Sequence, residues 1–221
     1  GRLSHSLDAW LSRGGSVFKG VPPHPPRSGD PGVKKINGPF TQSTILMGER
    51  GITRNDPAYY ALQVFNYTLG GGGFSSRLLD EIRDNRGLAY SVSSSFDTRL
   101  LPGPFEISLQ TRNATAKESL ALVRAEVAKA LDKGITEKEL EDAKAYLVGT
   151  YPRRYDTNSK MAGFLAAAVF YGLGTDYDRV YPERIRAVTR EAAGEAARAH
   201  IHSGELDTVV VGNLKEAGFE K

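Results

Sequence analysis

Apolar residues recur along the chain at two different spacings, and the spacing sets the element expected at each place. Ala58, Ala61, Leu62, Phe65 and Leu69 share one helical stripe, entered through Pro57 at the first helical position and stopped by Gly70 to Gly73. Leu78 and Ile82, four apart, predict a second helix over Ser75–Arg86, with Gly87 placed to end it. Leu88–Phe96 and Phe105–Thr111 alternate instead, and Pro102-Gly103-Pro104 between them supplies the turn of a hairpin. Two long helical stripes follow, Leu120, Val123, Val127 and Leu131, then Leu140, Ala143 and Leu147. Thr115 with Glu118 and Thr136 with Glu139 have capping-box spacing in front of them, and Gly134 and Pro152 end them. Further helices fit Ser159–Tyr171, Asp178–Ala187 and Arg190–His202, and short strands fit Gln42–Met47 and Thr208–Val211.

Ahead of these, Leu3, Leu7, Trp10 and Leu11 predict a short helix ended by Gly14-Gly15. Five prolines between Val21 and Gly32 then exclude a helix or an inner strand. Residues 1–36 are therefore read as a helix and a Pro/Gly-rich connection, and residues 37–221 as one domain. Strands and helices are mixed, with one hairpin and no regular βαβ repeat. The expected fold is α+β: an antiparallel or mixed sheet with helices packed mainly on one face.

Composition narrows the function. The 221 residues carry a net charge of +3, too little to imply a polyanion partner, so no nucleic acid is expected. The absence of cysteine excludes disulfides, iron–sulfur clusters, thiolate zinc sites and a thiol nucleophile. No apolar run reaches the roughly 20 residues needed to span a bilayer. The chain starts at Gly1 with no targeting segment, which suits a processed chain or a cut-out domain and leaves its compartment open.

The residues for metal or nucleophile chemistry are sparse. His5, His24, His200 and His202 are the only histidines, and His200-x-His202 with Glu205 is their one cluster. Two apart on a helix, those imidazoles point to different sides, so a solvated helix end is the better reading. Neither His-Glu-x-x-His nor its inverse occurs, and no metal site is expected on this chain. Ser91, Ser93, Ser94 and Ser95 lack a nearby histidine and read as the polar side of a strand. The run Gly70-Gly71-Gly72-Gly73 precedes a helix, the right context for an anion, but no Lys-Ser or Lys-Thr follows at Walker spacing. A mobile hinge, a close approach to another chain, or substrate binding explains it better.

One stretch is more specific. Leu69-Gly70-Gly71-Gly72, then Ser75-Ser76-Arg77-Leu78 and Arg86-Gly87-Leu88-Ala89-Tyr90, together with the upstream Gly51 to Leu62, resemble the pitrilysin (insulinase, or inverzincin) family of zinc peptidases. Mitochondrial processing peptidase belongs to that family, and the resemblance runs from about Gln42 to Val211. It implies a molecule built from similar α+β halves facing each other across a chamber. One half binds zinc through His-x-x-Glu-His; the other lacks the ligands and supplies an arginine and a tyrosine seven positions apart. This chain has the features of the second half. Its pair would be Arg83 and Tyr90, its partner a zinc-bearing half, fused or separate, and its ligand a peptide. An inactive scaffold of the same fold is the alternative. Without the resemblance, Arg83 reads as a solvated helix residue. Tyr90, alternating with Leu88, Val92 and Phe96, reads as half-buried on the core face.

Overall fold

Alternation in the sequence becomes a five-stranded sheet in the computed structural model, which describes residues 31–220. The strands are β1 (Val33–Asn37), β2 (Gln42–Arg50), β3 (Ala89–Phe96), β4 (Pro104–Arg112) and β5 (Asp207–Gly212). Their order is β1-β5-β2-β4-β3, antiparallel throughout except for the parallel pair β1/β5. Register puts Val210, Ile45, Leu109 and Val92 in one row, and all four are buried. The next row, Val209, Leu46, Ser108 and Ser93, points to the other face and is partly or fully exposed. One face of the sheet is therefore core and the other is largely polar and open.

Helices cover the core face. They are α1 (Tyr59–Asn66), α2 (Arg77–Leu79), α3 (Ala116–Lys133), α4 (Glu137–Thr150), α5 (Asn158–Phe170), α6 (Tyr177–Arg186) and α7 (Arg190–His200). Helix α3 packs Val123 and Val127 under β2 and β4, while α1 packs Leu62 and Phe65 against α7 and β3. The hairpin, the α3 and α4 stripes and the final strand form as the sequence predicts.

Several expectations change. Strand β1 starts at Val33, inside the segment read as a connection; its five residues are exposed and give no one-sided pattern to read. The glycine run does not stop the first helix at Gly70: α1 widens into a π-helix over Tyr67–Gly71. The predicted helix Ser75–Arg86 is a 3-10 turn (Gly73–Ser75), then α2, then a second π-helix over Asp80–Asp84. The Thr136/Glu139 capping box forms in both directions, at 3.2 and 2.7 Å. The one at Thr115 does not. A 3-10 turn, Asn113–Thr115, gives that threonine helical dihedrals, and its hydroxyl turns to the carbonyl of Arg112 at 3.1 Å. The N-terminal helix reading lies outside the described residues.

Candidate functional site

The segment carrying Arg83 and Tyr90 is rooted at one end and bent at the other. Arg77 opens α2 and lays its guanidinium across Glu139, with Nε to Oε1 and Nη2 to Oε2 both at 2.6 Å, and Nη2 also reaches the carbonyl of Gly134 at 3.0 Å. The same Glu139 serves the capping box of α4, so one carboxylate joins two elements. Leu78 and Ile82 are fully buried beneath. Burial alone would push the Glu139 carboxyl up, but the donors from Arg77 and Thr136 outweigh it and hold the group below its ordinary value. A depressed carboxyl stabilises the fold above the unfolded value near 4.5, and that contribution is lost as pH falls through the lower folded value. Glu139→Gln is expected to cost about 1 kcal/mol at pH 7, after discounting for solvent screening. It should also flatten the stability profile below pH ~4.5, measured by urea denaturation against pH.

Past Ile82 the chain reverses. Gly87 has φ +61°, its N–H donates to the carbonyl of Arg83 at 2.9 Å, and the N–H of Leu88 reaches back to Ile82 at 3.0 Å. This is a glycine-ended helix stop, widened by the π turn before it. The guanidinium of Arg83 stands 5.1 Å from the ring centroid of Phe74, the residue that follows the glycine run, and its Nε is 3.8 Å from Asp84 Oδ1. Glycine run and arginine therefore meet at Phe74, itself 77% exposed.

Strand β3 then begins with a bulge. Ala89 pairs with Thr111 and Ser91 with Gln110, which leaves Tyr90 as the extra residue. Plain alternation with Val92 would have turned Tyr90 into the core. Instead Ala89 and Val92 are buried, while Tyr90 and Ser91 are both exposed, Tyr90 at 76%. Among the described residues the Tyr90 hydroxyl has no hydrogen-bond partner. Arg83 and Tyr90 thus flank one reversal as two accessible donors, each backed by a buried neighbour in Ile82 or Ala89.

Gly70 packs where a Cβ would come within 2.5 Å of Ser94 Oγ and 2.6 Å of Ser94 N. Asn66 brackets that contact, accepting from Ser94 Oγ at 2.7 Å and donating to Ser94 O at 3.1 Å. Gly73, at φ +57°, turns the chain toward Phe74. Ser91, Ser93 and Ser95 are exposed as the sequence suggests, but Ser94 is buried in this packing.

His200 ends its helix as the sequence suggests, but His202 does more than sit in solvent. Helix α7 stops at His200, and His202 beyond it clasps the nearly buried Glu49, backbone N–H and Nδ1 each at 2.7 Å from a carboxylate oxygen. Among the described residues no three His, Asp or Glu side chains gather as a metal site.

Comparison with known proteins settles the family. Residues 4–147 match the family model described as "Peptidase M16 inactive domain". The chain belongs to the M16 peptidases, as their inactive domain. An M16 inactive domain from Pseudomonas fluorescens superposes with a TM-score of 0.78 at 36% identity, over 83% of this chain and 44% of that one. An uncharacterized zinc protease of Mycobacterium tuberculosis is 31% identical over 90% of this chain and 46% of its own length. The Helicobacter pylori non-peptidase homolog YmxG is 32% identical over 66% of this chain and 34% of its own. This M16 domain therefore spans between a third and a half of those two relatives, and the pitrilysin-type resemblance and the α+β fold both hold.

Sequence reasoning missed a second constellation, built around Arg54. Its guanidinium lies 3.9 Å over the ring of Tyr59 and donates to the Tyr177 hydroxyl at 2.6 Å, which is 3.2 Å from that of Tyr60. Tyr181 stacks on Tyr151 at 4.0 Å beside them. The spacing Tyr177/Tyr181 was the available signal, a pair four apart on one helical face.

Proposed function

We propose that this domain forms the wall of a peptidase chamber opposite a zinc-bearing half, and that Tyr90 and Arg83 face the scissile carbonyl there. The observation that carries the reading is the β3 bulge, which takes Tyr90 off the core face and exposes a phenol with no partner among the described residues. In this reading the metal and the water it activates belong to the other half. What this chain contributes is hydrogen bonding. Attack on a peptide carbonyl places negative charge on its oxygen, and a phenol O–H already in position stabilises that charge without reorganising. Arg83 adds a planar fork of donors that holds a neighbouring carbonyl or carboxylate of the peptide.

The partner half also accounts for α5. Met161, Leu165 and Val169 recur every four residues on a helix of which only Ala168 is buried, and Val169 is 72% exposed. An apolar ridge of this kind suits contact with another protein element, and in this reading that element is the zinc-bearing half. Val169→Asp is expected to leave the domain's thermal midpoint unchanged and to weaken assembly with the zinc-bearing half by at least about tenfold, read by analytical ultracentrifugation.

The functional test is reconstitution. The chain alone should not cleave a quenched fluorescent peptide, and adding the zinc-bearing half should restore cleavage. A scaffold role is the second reading, favoured by the name non-peptidase homolog given to one relative. Assembly without any cleavage would establish it in place of the first.

A further inference from the structure

A cleft of about 380 Å³ lies between the loop ahead of α1 and helix α6, away from Arg83 and Tyr90. Arg54, Tyr60, Tyr177, Val180 and Arg184 line it, with Leu173 at its edge. The loop is fixed: Arg54 N–H donates to the carbonyl of Arg99 at 2.7 Å, and Gly51 N–H to that of Gly103 at 2.7 Å. Tyr177, Val180 and Arg184 follow at three and four residues on α6, so they share one face.

The cleft lining carries two guanidinium groups against one carboxylate, an excess of positive charge. A partly buried guanidinium ordinarily finds a carboxylate, yet Arg54 pairs with none among the described residues and engages only tyrosines. Arg184, also on the lining, forms no ion pair among them either. Asp56 is the acidic lining residue, and its Oδ1 is occupied by the N–H of Ala58 at 2.8 Å, at the start of α1. The hydroxyls of Tyr177 and Tyr60 adjoin the guanidinium. Tyr177 accepts from Arg54, and its hydroxyl lies 3.2 Å from that of Tyr60, where either oxygen can donate, so the Arg54 fork and the two phenols form one connected set. Burial pushes the Tyr177 phenol well above its ordinary value, which keeps that phenol protonated.

We propose that this cleft binds an oxyanion, a carboxylate or phosphate group, on the open edge of the Arg54 guanidinium, with the Tyr60 hydroxyl and Arg184 completing its coordination. A planar fork backed by an aromatic face suits the paired oxygens of such a group, and the volume admits a small ligand or the end of a peptide. The inference shares no residue with the Arg83/Tyr90 reading and stands if that reading fails.

The test titrates the full chain, at constant ionic strength, with inorganic phosphate, with acetyl-diglycine and with the amide of acetyl-diglycine. The Arg54 Nε–H signal is followed by 15N NMR. A saturating shift with phosphate, with the free acid or with both is expected, and none with the amide. Saturation by phosphate alone assigns a free anion; saturation by the acid alone assigns a polypeptide carboxylate. Arg184→Gln and Tyr60→Phe should each weaken binding about three- to tenfold while leaving the amide spectrum otherwise folded. Arg54→Lys should abolish it, since the charge remains and the fork is lost. Shifts that never saturate with either anion, or affinities that neither Arg184→Gln nor Tyr60→Phe alters, would overturn the proposal.

Discussion

Tyr90→Phe, in an assembly that contains the zinc-bearing half, is expected to lower kcat about a hundredfold with KM little changed. The substitution keeps the ring, the bulge and the buried neighbours Ala89 and Val92, and removes only the O–H. A donor that strengthens only as charge develops on the carbonyl oxygen acts on the chemical step, and removing one such donor costs about 10²- to 10³-fold in other acyl-transfer sites. Arg83→Ala should behave differently. A guanidinium that holds a substrate carbonyl binds ground and transition states alike, so KM should rise as kcat falls, and Arg83→Lys should recover part of the loss in KM. Both side chains are accessible, Arg83 at 39%, so neither change should shift the thermal midpoint measurably. Ser91→Ala, exposed beside Tyr90, serves as the control that leaves turnover alone. Undiminished cleavage in both Tyr90→Phe and Arg83→Ala would leave the domain as a wall without a chemical part.

The contrast between Tyr90 and its neighbours shows where the sequence is legible. Binary pattern identifies an element wherever one face is buried and the other is wet, as in α3, β4 and the β3/β4 hairpin. It fails at β1, whose five residues are all exposed and whose partner residues on β5 lie 175 positions away, so that pairing is a tertiary event. It fails again at the bulge, because one inserted residue shifts the side-chain period and reverses the face on which Tyr90 is expected. The capping boxes divide on similar grounds: Thr136 follows an extended backbone and caps, whereas Thr115 is already in a helical turn and has its hydroxyl drawn elsewhere. The arginine–tyrosine spacing was legible only through family resemblance. Of the Arg54 cleft only the Tyr177/Tyr181 spacing on one helix was legible, because Arg54 and Tyr60 come from a segment more than 100 residues away from Tyr177.

Gly70→Ala is expected to destabilise the domain by about 3 kcal/mol. Its Cβ would sit 2.5 Å from Ser94 Oγ, 2.6 Å from Ser94 N and 3.0 Å from Leu78 Cδ1. None of the three can yield cheaply. The N atom belongs to β3, which the β4 ladder holds in register, and the hydroxyl is committed to Asn66. Leu78 is fully buried on a helix that Arg77 anchors to Glu139. Relief requires the π-helix to lift from β3, which breaks both Asn66 hydrogen bonds and opens the core beneath. Gly73→Ala meets no atom within 4 Å and carries only the strain of φ +57°, an expected cost of about 1 kcal/mol. Chemical denaturation of the two variants separates a glycine kept for close packing from one kept for a turn. Equal costs would mean that Gly70 yields as readily as a hinge. The larger loss at Gly70 would instead mean that the run's first glycine fixes β3, and with it the bulge four residues upstream that turns Tyr90 outward.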